Sequence, residues 1–453
     1  MRYILTIIFL FVTYFVFSQN FEVTYGGVNS DRGLFVEQVL DANYIVVGEK
    51  YYSSTKSDIH LIKIDFYGDT IWTRSFGTLG NDKGSCVKQT TDKGYIICGT
   101  DSLNFAPLQQ NTDIYIVKTD SNGVVNGNNN TWQQTLDFNN LALQPNTYPK
   151  SHDVANSLCN MHDNAYAITG FTDSLNNGNE NAFLLILESG GFFRTKKTYG
   201  GNGKDITFCI QQTFDKGFIL VGSSNSFSLG GDLDIYVIKT DSLGLIMWDT
   251  TYGGNGDEVG YSIEQTLDSN FVITGYTTSL GNGDRDLFFM KIDPTGDSLQ
   301  FKRYGYSTTD EGKSIREDTI NGGFIIAGFT ETGISLARDA WVIKTDDNGD
   351  SMWSVKYGGV LVDEANSINV TLDGGYIFTG YTNSFGSGAQ DIYVVKMNSN
   401  GSLTSTNFDI IKDNQNKKLE KVIDILGREI KPIKNTLLFY IYDNGTVEKI
   451  FIR

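Results

Sequence analysis

A Tyr-Gly-Gly-like mark recurs along this chain at Tyr25-Gly26-Gly27, Phe76-Gly77, Tyr199-Gly200-Gly201, Tyr252-Gly253-Gly254, Tyr304-Gly305 and Tyr357-Gly358-Gly359, with a degenerate copy at Leu136-Asp137-Phe138. These make seven copies. Self-similarity at a spacing of about 50 residues constrains the fold more than composition does, because so short a unit cannot bury its apolar face alone and must stack on its neighbours.

Each repeat carries the same four short apolar runs. Strand a is typified by Ser262 to Thr266, strand b by Tyr376 to Gly380, strand c by Asp234 to Lys239 and Asp391 to Lys396, and strand d by Trp248 to Tyr252. Turns such as Asp373-Gly374-Gly375 separate them. Short runs rich in β-branched and aromatic residues, punctuated by Asp, Asn and Gly, are strands joined by hairpins. No helical period competes with them. The expected fold class is all-β: a seven-bladed β-propeller with four strands to a blade.

The way the repeats are cut predicts how the array ends. The first strand, Phe21 to Tyr25, is a lone strand d; six a-b-c-d sets follow, and the seventh a-b-c, Asn366 to Met397, has no strand d after it. Placing the N-terminal strand on the outside of the last blade closes a ring and removes an exposed edge.

The signature Lys-Thr-Asp-x-x-Gly-x-x-x-Trp at Lys239 to Trp248 and at Lys344 to Trp353 resembles the tryptophan-docking repeat of quinoprotein propellers. The Asp-Gly-Gly-Tyr-Ile runs resemble repeats of bacterial surface propellers. The resemblance spans residues 21–400 and implies the fold without transferring an activity.

Residues 1–19 hold one positive charge (Arg2), an apolar run from Ile4 to Phe17 and Ser18-Gln19, the layout of a secretory signal peptide and too short an apolar run for a membrane span. The mature chain is expected to lack a transmembrane segment. Residues 20–403 are the propeller. Residues 404–418 are polar and read as a linker. In 419–453, Lys421-Val422-Ile423-Asp424-Ile425-Leu426-Gly427-Arg428-Glu429 and the Phe439 to Lys449 hairpin resemble the type A C-terminal sorting domain of the type IX secretion system. That resemblance implies the secretion machinery as a partner and a secreted or outer-surface destination.

The net charge of −17, from 53 acidic and 36 basic residues, argues against a nucleic-acid partner, which is bound through Lys and Arg. Cys86, Cys98, Cys159 and Cys209 are too scattered for a disulfide scaffold and read as small buried residues, although Cys86 and Cys98 can face each other in one hairpin.

An acidic residue stands seven positions before the strand-a Gln position in every repeat: Asp31, Asp82, Asp153, Asp205, Glu258, Asp310 and Asp363. As a ring at the inner rim these carboxylates are candidates for a cation, calcium included. The competing reading has each one capping amides of its own loop or pairing with the strand-c lysine at Lys63, Lys118, Lys239, Lys291, Lys344 and Lys396. Turns such as Asp346 to Asp350 lack the spaced Glu of a calcium loop and read as c–d hairpins. Three histidines, His60, His152 and His162, do not suggest a multi-histidine metal site, and no cofactor is expected. The repeated Gly48, Gly99, Gly170, Gly222, Gly275, Gly328 and Gly380 read as strand-b ends at a bulge or close backbone contact.

Symmetry breaks at the second and third repeats. There the b–c loop becomes Asn104 to Gln110 and the d–a loop runs from Asn139 to His152. Apolar anchors (Phe105, Leu108, Tyr148) beside polar groups (Gln109, Gln110, His152, Asp153) make this the expected ligand-binding position. Two functional classes stay open: a non-enzymatic binding or adhesion module for an extracellular glycan or protein, and a polysaccharide-degrading enzyme using a carboxylate pair. A quinone-dependent dehydrogenase is a weaker third.

Overall fold

The computed structural model describes residues 19–53, 56–103, 111–127, 130–138, 152–173, 179–228, 230–279, 284–331, 337–403, 419–423, 428–429, 431, 436–442 and 447–452. The chain divides into two compact units, Met1–Ser405 and Thr406–Arg453.

The fourth repeat shows how sequence becomes structure. Its strands, Asp205–Gln212, Phe218–Ser224, Asp234–Thr240 and Ile246–Tyr252, pair in chain order in one antiparallel sheet. Strands b and c are buried along their whole length and are runs of Ile, Leu, Val and Tyr, as strands covered on both faces must be. Strand d exposes alternate residues, as befits an outer strand. The turns are made by aspartates that bond their own backbone. Asp215 accepts from Gly217 N (3.0 Å), and Asp241 Oδ1 accepts from Leu243 N (2.9 Å) and Leu245 N (2.8 Å).

The first six repeats all run a-b-c-d. In the seventh, Asp363–Val370, Tyr376–Thr382 and Asp391–Met397 take their fourth partner from Phe21–Tyr25, which lies antiparallel on the last of them from Phe21 opposite Lys396 to Tyr25 opposite Ile392. Repetition of one four-stranded antiparallel sheet, packed sheet against sheet, is a β-propeller repeat fold.

Every strand a shifts register by one residue opposite the strand-b glycine. These glycines sit inside strand b rather than at its end, where the bulge carries the facing carbonyl too close for a side chain: a Cβ on Gly222 would lie 1.8 Å from Ile206 O.

Among the described residues, the apolar core lies between successive repeats. One cluster joins Met161 and Tyr199 of the third repeat to Phe218 and Ile238 of the fourth, and another joins Ile392 and Val394 of the seventh to Val36 and Ile62 of the first, with Phe21, Val23 and Tyr25 packed on it. A short parallel bridge stitches the start of strand c to the start of the next strand a, at Ser57–Asn81, Thr112–His152, Arg285–Thr309, Arg338–Val362 and Gln390–Ser30.

The recurrent motif residues make the same junctions. The motif tyrosine donates its hydroxyl to the glycine carbonyl of the next c–d turn: Tyr25 to Gly68 (2.6 Å), Tyr199 to Gly244 (2.9 Å), Tyr252 to Gly296 (2.5 Å), Tyr304 to Gly349 and Tyr357 to Gly401 (2.6 Å). The tryptophan docks there too. Trp248 Nε1 donates to Pro294 O (2.9 Å) while its ring covers Gly296, whose φ of +92° and closeness to the ring (3.2 Å from a Cβ) both require glycine.

The second compact unit holds a three-stranded antiparallel sheet of Leu419–Ile423, Thr436–Tyr442 and Val447–Ile452. No described helix is long and apolar enough to cross a membrane. The four cysteines are free, with Cys86 opposite Cys98 in register.

Candidate functional site

Six of the seven rim carboxylates are the first residues of their strands a and Asp82 is the second of Asn81–Gln89, so these strands begin earlier than the apolar pattern suggests. All seven are buried. Each accepts from a backbone N–H of its own d–a loop, four residues upstream in six repeats and fifteen in the third: Gly27 to Asp31 (2.8 Å), Thr78 to Asp82 (2.5 Å), Phe138 to Asp153 (2.9 Å), Gly201 to Asp205 (2.8 Å), Gly254 to Glu258 (2.7 Å), Tyr306 to Asp310 (2.8 Å) and Gly359 to Asp363 (2.8 Å). In four of them the second oxygen is held by the strand-b residue across the sheet: Thr172 Oγ1 to Asp153 (2.5 Å), Thr277 Oγ1 to Glu258 (2.6 Å), and Ser224 and Thr382 hydroxyls to Asp205 and Asp363. Each carboxylate therefore latches its own d–a loop. Burial pushes Asp31 and Asp310 above the usual carboxylate range against these hydrogen bonds. Among the described residues, no group of three or more His, Cys, Asp or Glu is placed to hold a metal ion.

The strand-c lysines are not their partners. Lys63, Lys118, Lys239, Lys291, Lys344 and Lys396 pair instead with the a–b turn residues Asp41 (2.5 Å), Asp92 (2.8 Å), Asp215 (2.8 Å), Asp268 (3.0 Å), Asp318 (3.3 Å) and Asp373 (3.0 Å). The sequence placed Lys and acid in one repeat, but only the strand direction shows that they stand at opposite ends of the sheet. Burial opposes ionisation of these aspartates, yet the lysines and turn donors hold Asp41, Asp92, Asp215, Asp268, Asp318 and Asp373 below the ordinary range.

Of the residues expected to bind a ligand, Phe105, Leu108, Gln109 and Tyr148 lie outside the described residues. His152 and Asp153 are described. His152 N donates to Asp173 Oδ1 (2.6 Å), its Nδ1 is 3.3 Å from Thr112 Oγ1, and Asp153 latches Phe138 as above. His60 is buried in strand c of the first repeat, where burial lowers its pKa to about 4, and His162 sits in the a–b turn of the third, so the histidines do not converge.

Sequence reasoning missed one departure from symmetry. At the cross-strand position opposite the rim carboxylate, five repeats present a hydroxyl (Thr172, Ser224, Thr277, Thr330, Thr382) and the first presents Lys50, whereas the second presents Asp101. The signal was readable: Gly-x-Thr or Gly-x-Ser becomes Gly99-Thr100-Asp101.

No protein-family model and no curated protein matches the chain. Among solved structures it is similar to Sqt1 from Chaetomium thermophilum (12% identity, TM-score 0.46, 80% of this chain and 82% of that one) and to the Pseudomonas aeruginosa periplasmic gluconolactonase PpgL (11%, 0.45, 73% and 86%). It is also similar to the Neurospora crassa Pan2 WD40 domain (9%, 0.43, 82% and 97%). At such scores the fold rests on the strand pairings themselves.

Proposed function

We propose that residues 20–403 form a seven-bladed propeller closed by Phe21–Tyr25, and that this propeller is an exported binding or adhesion module for an extracellular glycan or protein. Support for closure comes from the seventh-to-first junction, which uses the bridge, apolar cluster and tyrosine latch found at the others. The observation that carries the binding reading is that every rim carboxylate is engaged in fixing its own loop, so the repeated acid serves the scaffold. Function then falls to the loops that differ, and loops held on a rigid scaffold are where recognition is usually built. The ligand is expected where the second and third repeats diverge, flanked by Phe105, Leu108, Gln109, Tyr148 and His152. On the same reading, residues 1–19 direct export across the inner membrane and 419–453 engage the type IX machinery, leaving the protein secreted or on the outer surface.

The test is a screen of the purified protein on a glycan array and on polysaccharide substrates. Saturable binding without turnover, weakened by Phe105→Ala with Tyr148→Ala, is the expected result. Release of reducing sugar would overturn it in favour of a hydrolase.

A further inference from the structure

Asp82, Asp101 and Asp113 form a single row across three adjacent strands of the second repeat: Asp82 faces Asp101, and Asp101 faces Asp113, so all three side chains leave the same side of the sheet. They are 0%, 2% and 7% exposed. Thr78 Oγ1 bridges the first two, at 2.8 Å from Asp101 Oδ1 and 3.5 Å from both Asp82 oxygens, and Thr135 Oγ1 reaches Asp101 Oδ2 at 3.2 Å. Asp113 Oδ1 is buried without a hydrogen-bond partner.

Elsewhere the middle of this row is Lys50 or a hydroxyl, and in four repeats that hydroxyl (Thr172, Ser224, Thr277, Thr382) donates to its acidic neighbour. A carboxylate cannot donate, so Asp101 beside Asp82 is bonded only if the pair holds a proton. The surroundings supply little compensation. Asp58 faces the row from the first repeat, Asp137 from the end of the second and Asp153 from the third; Tyr115 lies among Asp58, Asp82 and Asp101. Of the nearby cations, Lys56 is 3.7 Å from Asp58 and bonds Thr78 O (2.9 Å), and Lys83 lies 3.9 Å from Glu49. The His152 ring nitrogen Nδ1 bonds Thr112 Oγ1 (3.3 Å), on the neighbour of Asp113.

We propose that the Asp82–Asp101–Asp113 row is a proton-binding switch that keeps the loop end of the second blade locked while protonated and loosens it on ionisation, whatever ligand the propeller binds. Consistent with the geometry, burial and the neighbouring carboxylates push Asp82 and Asp113 up to about 7. The folded row therefore holds protons that an opened chain has already lost. Its contribution to local stability is complete below about pH 4 and disappears as pH rises through about 7. Opening that releases one proton becomes about tenfold more frequent per pH unit across that window.

Amide hydrogen exchange of the full chain reads this directly. Tyr95–Leu103 should show that extra tenfold per pH unit, beyond intrinsic exchange, between pH 5 and 7. Asp101→Thr, which installs the residue found in four other repeats, should flatten it and weaken a carboxylic-acid C=O infrared band present at pH 6. Thr277→Asp, which builds the same row beside Glu258 and Asp286, should create the effect in the fifth repeat and keeps the test valid if Asp101→Thr fails to fold. Equal pH profiles for wild type and Asp101→Thr would overturn the proposal, as would a wild-type profile flattened by calcium and restored by a chelator, which would make a divalent cation the counterion.

Discussion

Replacing Tyr25 by Phe separates a docked N-terminal strand from a frayed one. The hydroxyl of Tyr25 gives a 2.6 Å bond to Gly68 O, and the ring packs against the cluster joining the seventh and first repeats. Phenylalanine keeps the ring and deletes one hydrogen bond, at a cost of about 0.5–1.5 kcal/mol. Tyr252 makes the equivalent bond to Gly296 at 2.5 Å in a similarly half-buried setting, so Tyr252→Phe should cost the same within error. Tyr199 and Tyr357 are buried, and their removal strands a carbonyl with less access to water, so they belong at the upper end, about 1–2 kcal/mol. In a domain of this size the melting temperature would move by no more than about 2 °C. Urea midpoints are therefore the better assay. Deleting residues 20–27 goes further: it removes the whole pairing from Phe21 to Tyr25 and exposes Asp391–Met397 as an edge, with a larger loss and edge-to-edge association. A Tyr25→Phe variant as stable as wild type beside a destabilised Tyr252→Phe, or a deletion with an unchanged midpoint, would refute the closure.

Asp373→Ala strips the fully buried Lys396 of its carboxylate and should cost about 3–5 kcal/mol in urea unfolding. Asp350→Ala, which breaks the exposed Lys302 pair, should cost under about 1 kcal/mol by the same measure. A chain ending at Ser405 should fold as the full chain does by circular dichroism but accumulate in the periplasm of its native host; wild-type levels outside the cell would remove the sorting role of 419–453.

The sequence by itself determined the all-β class, the order of strands within a repeat and the recurrence of that unit. Short apolar runs rich in β-branched and aromatic residues and Asp/Gly turns are local signals, and repeating them makes the pattern unmistakable. It also marked Tyr25, Tyr252 and Trp248 as recurrent without saying what they do. Their partners, Gly68, Gly296 and Pro294, are more than 40 residues away, across a junction between sheets. The same limit explains the lysines: Lys239 is close in sequence to both acidic positions, and only the direction of its strand decides that it meets Asp215 and not Asp205. The rim acids were visible as a set, yet whether they faced a ligand or their own backbone depended on loop conformation, which composition does not encode. Asp101 was visible as an exception to Gly-x-Thr, but its meaning required register. Three carboxylates separated by 19 and 12 positions become one electrostatic group only when antiparallel pairing sets Asp82, Asp101 and Asp113 side by side in a buried place where a proton has to share the charge.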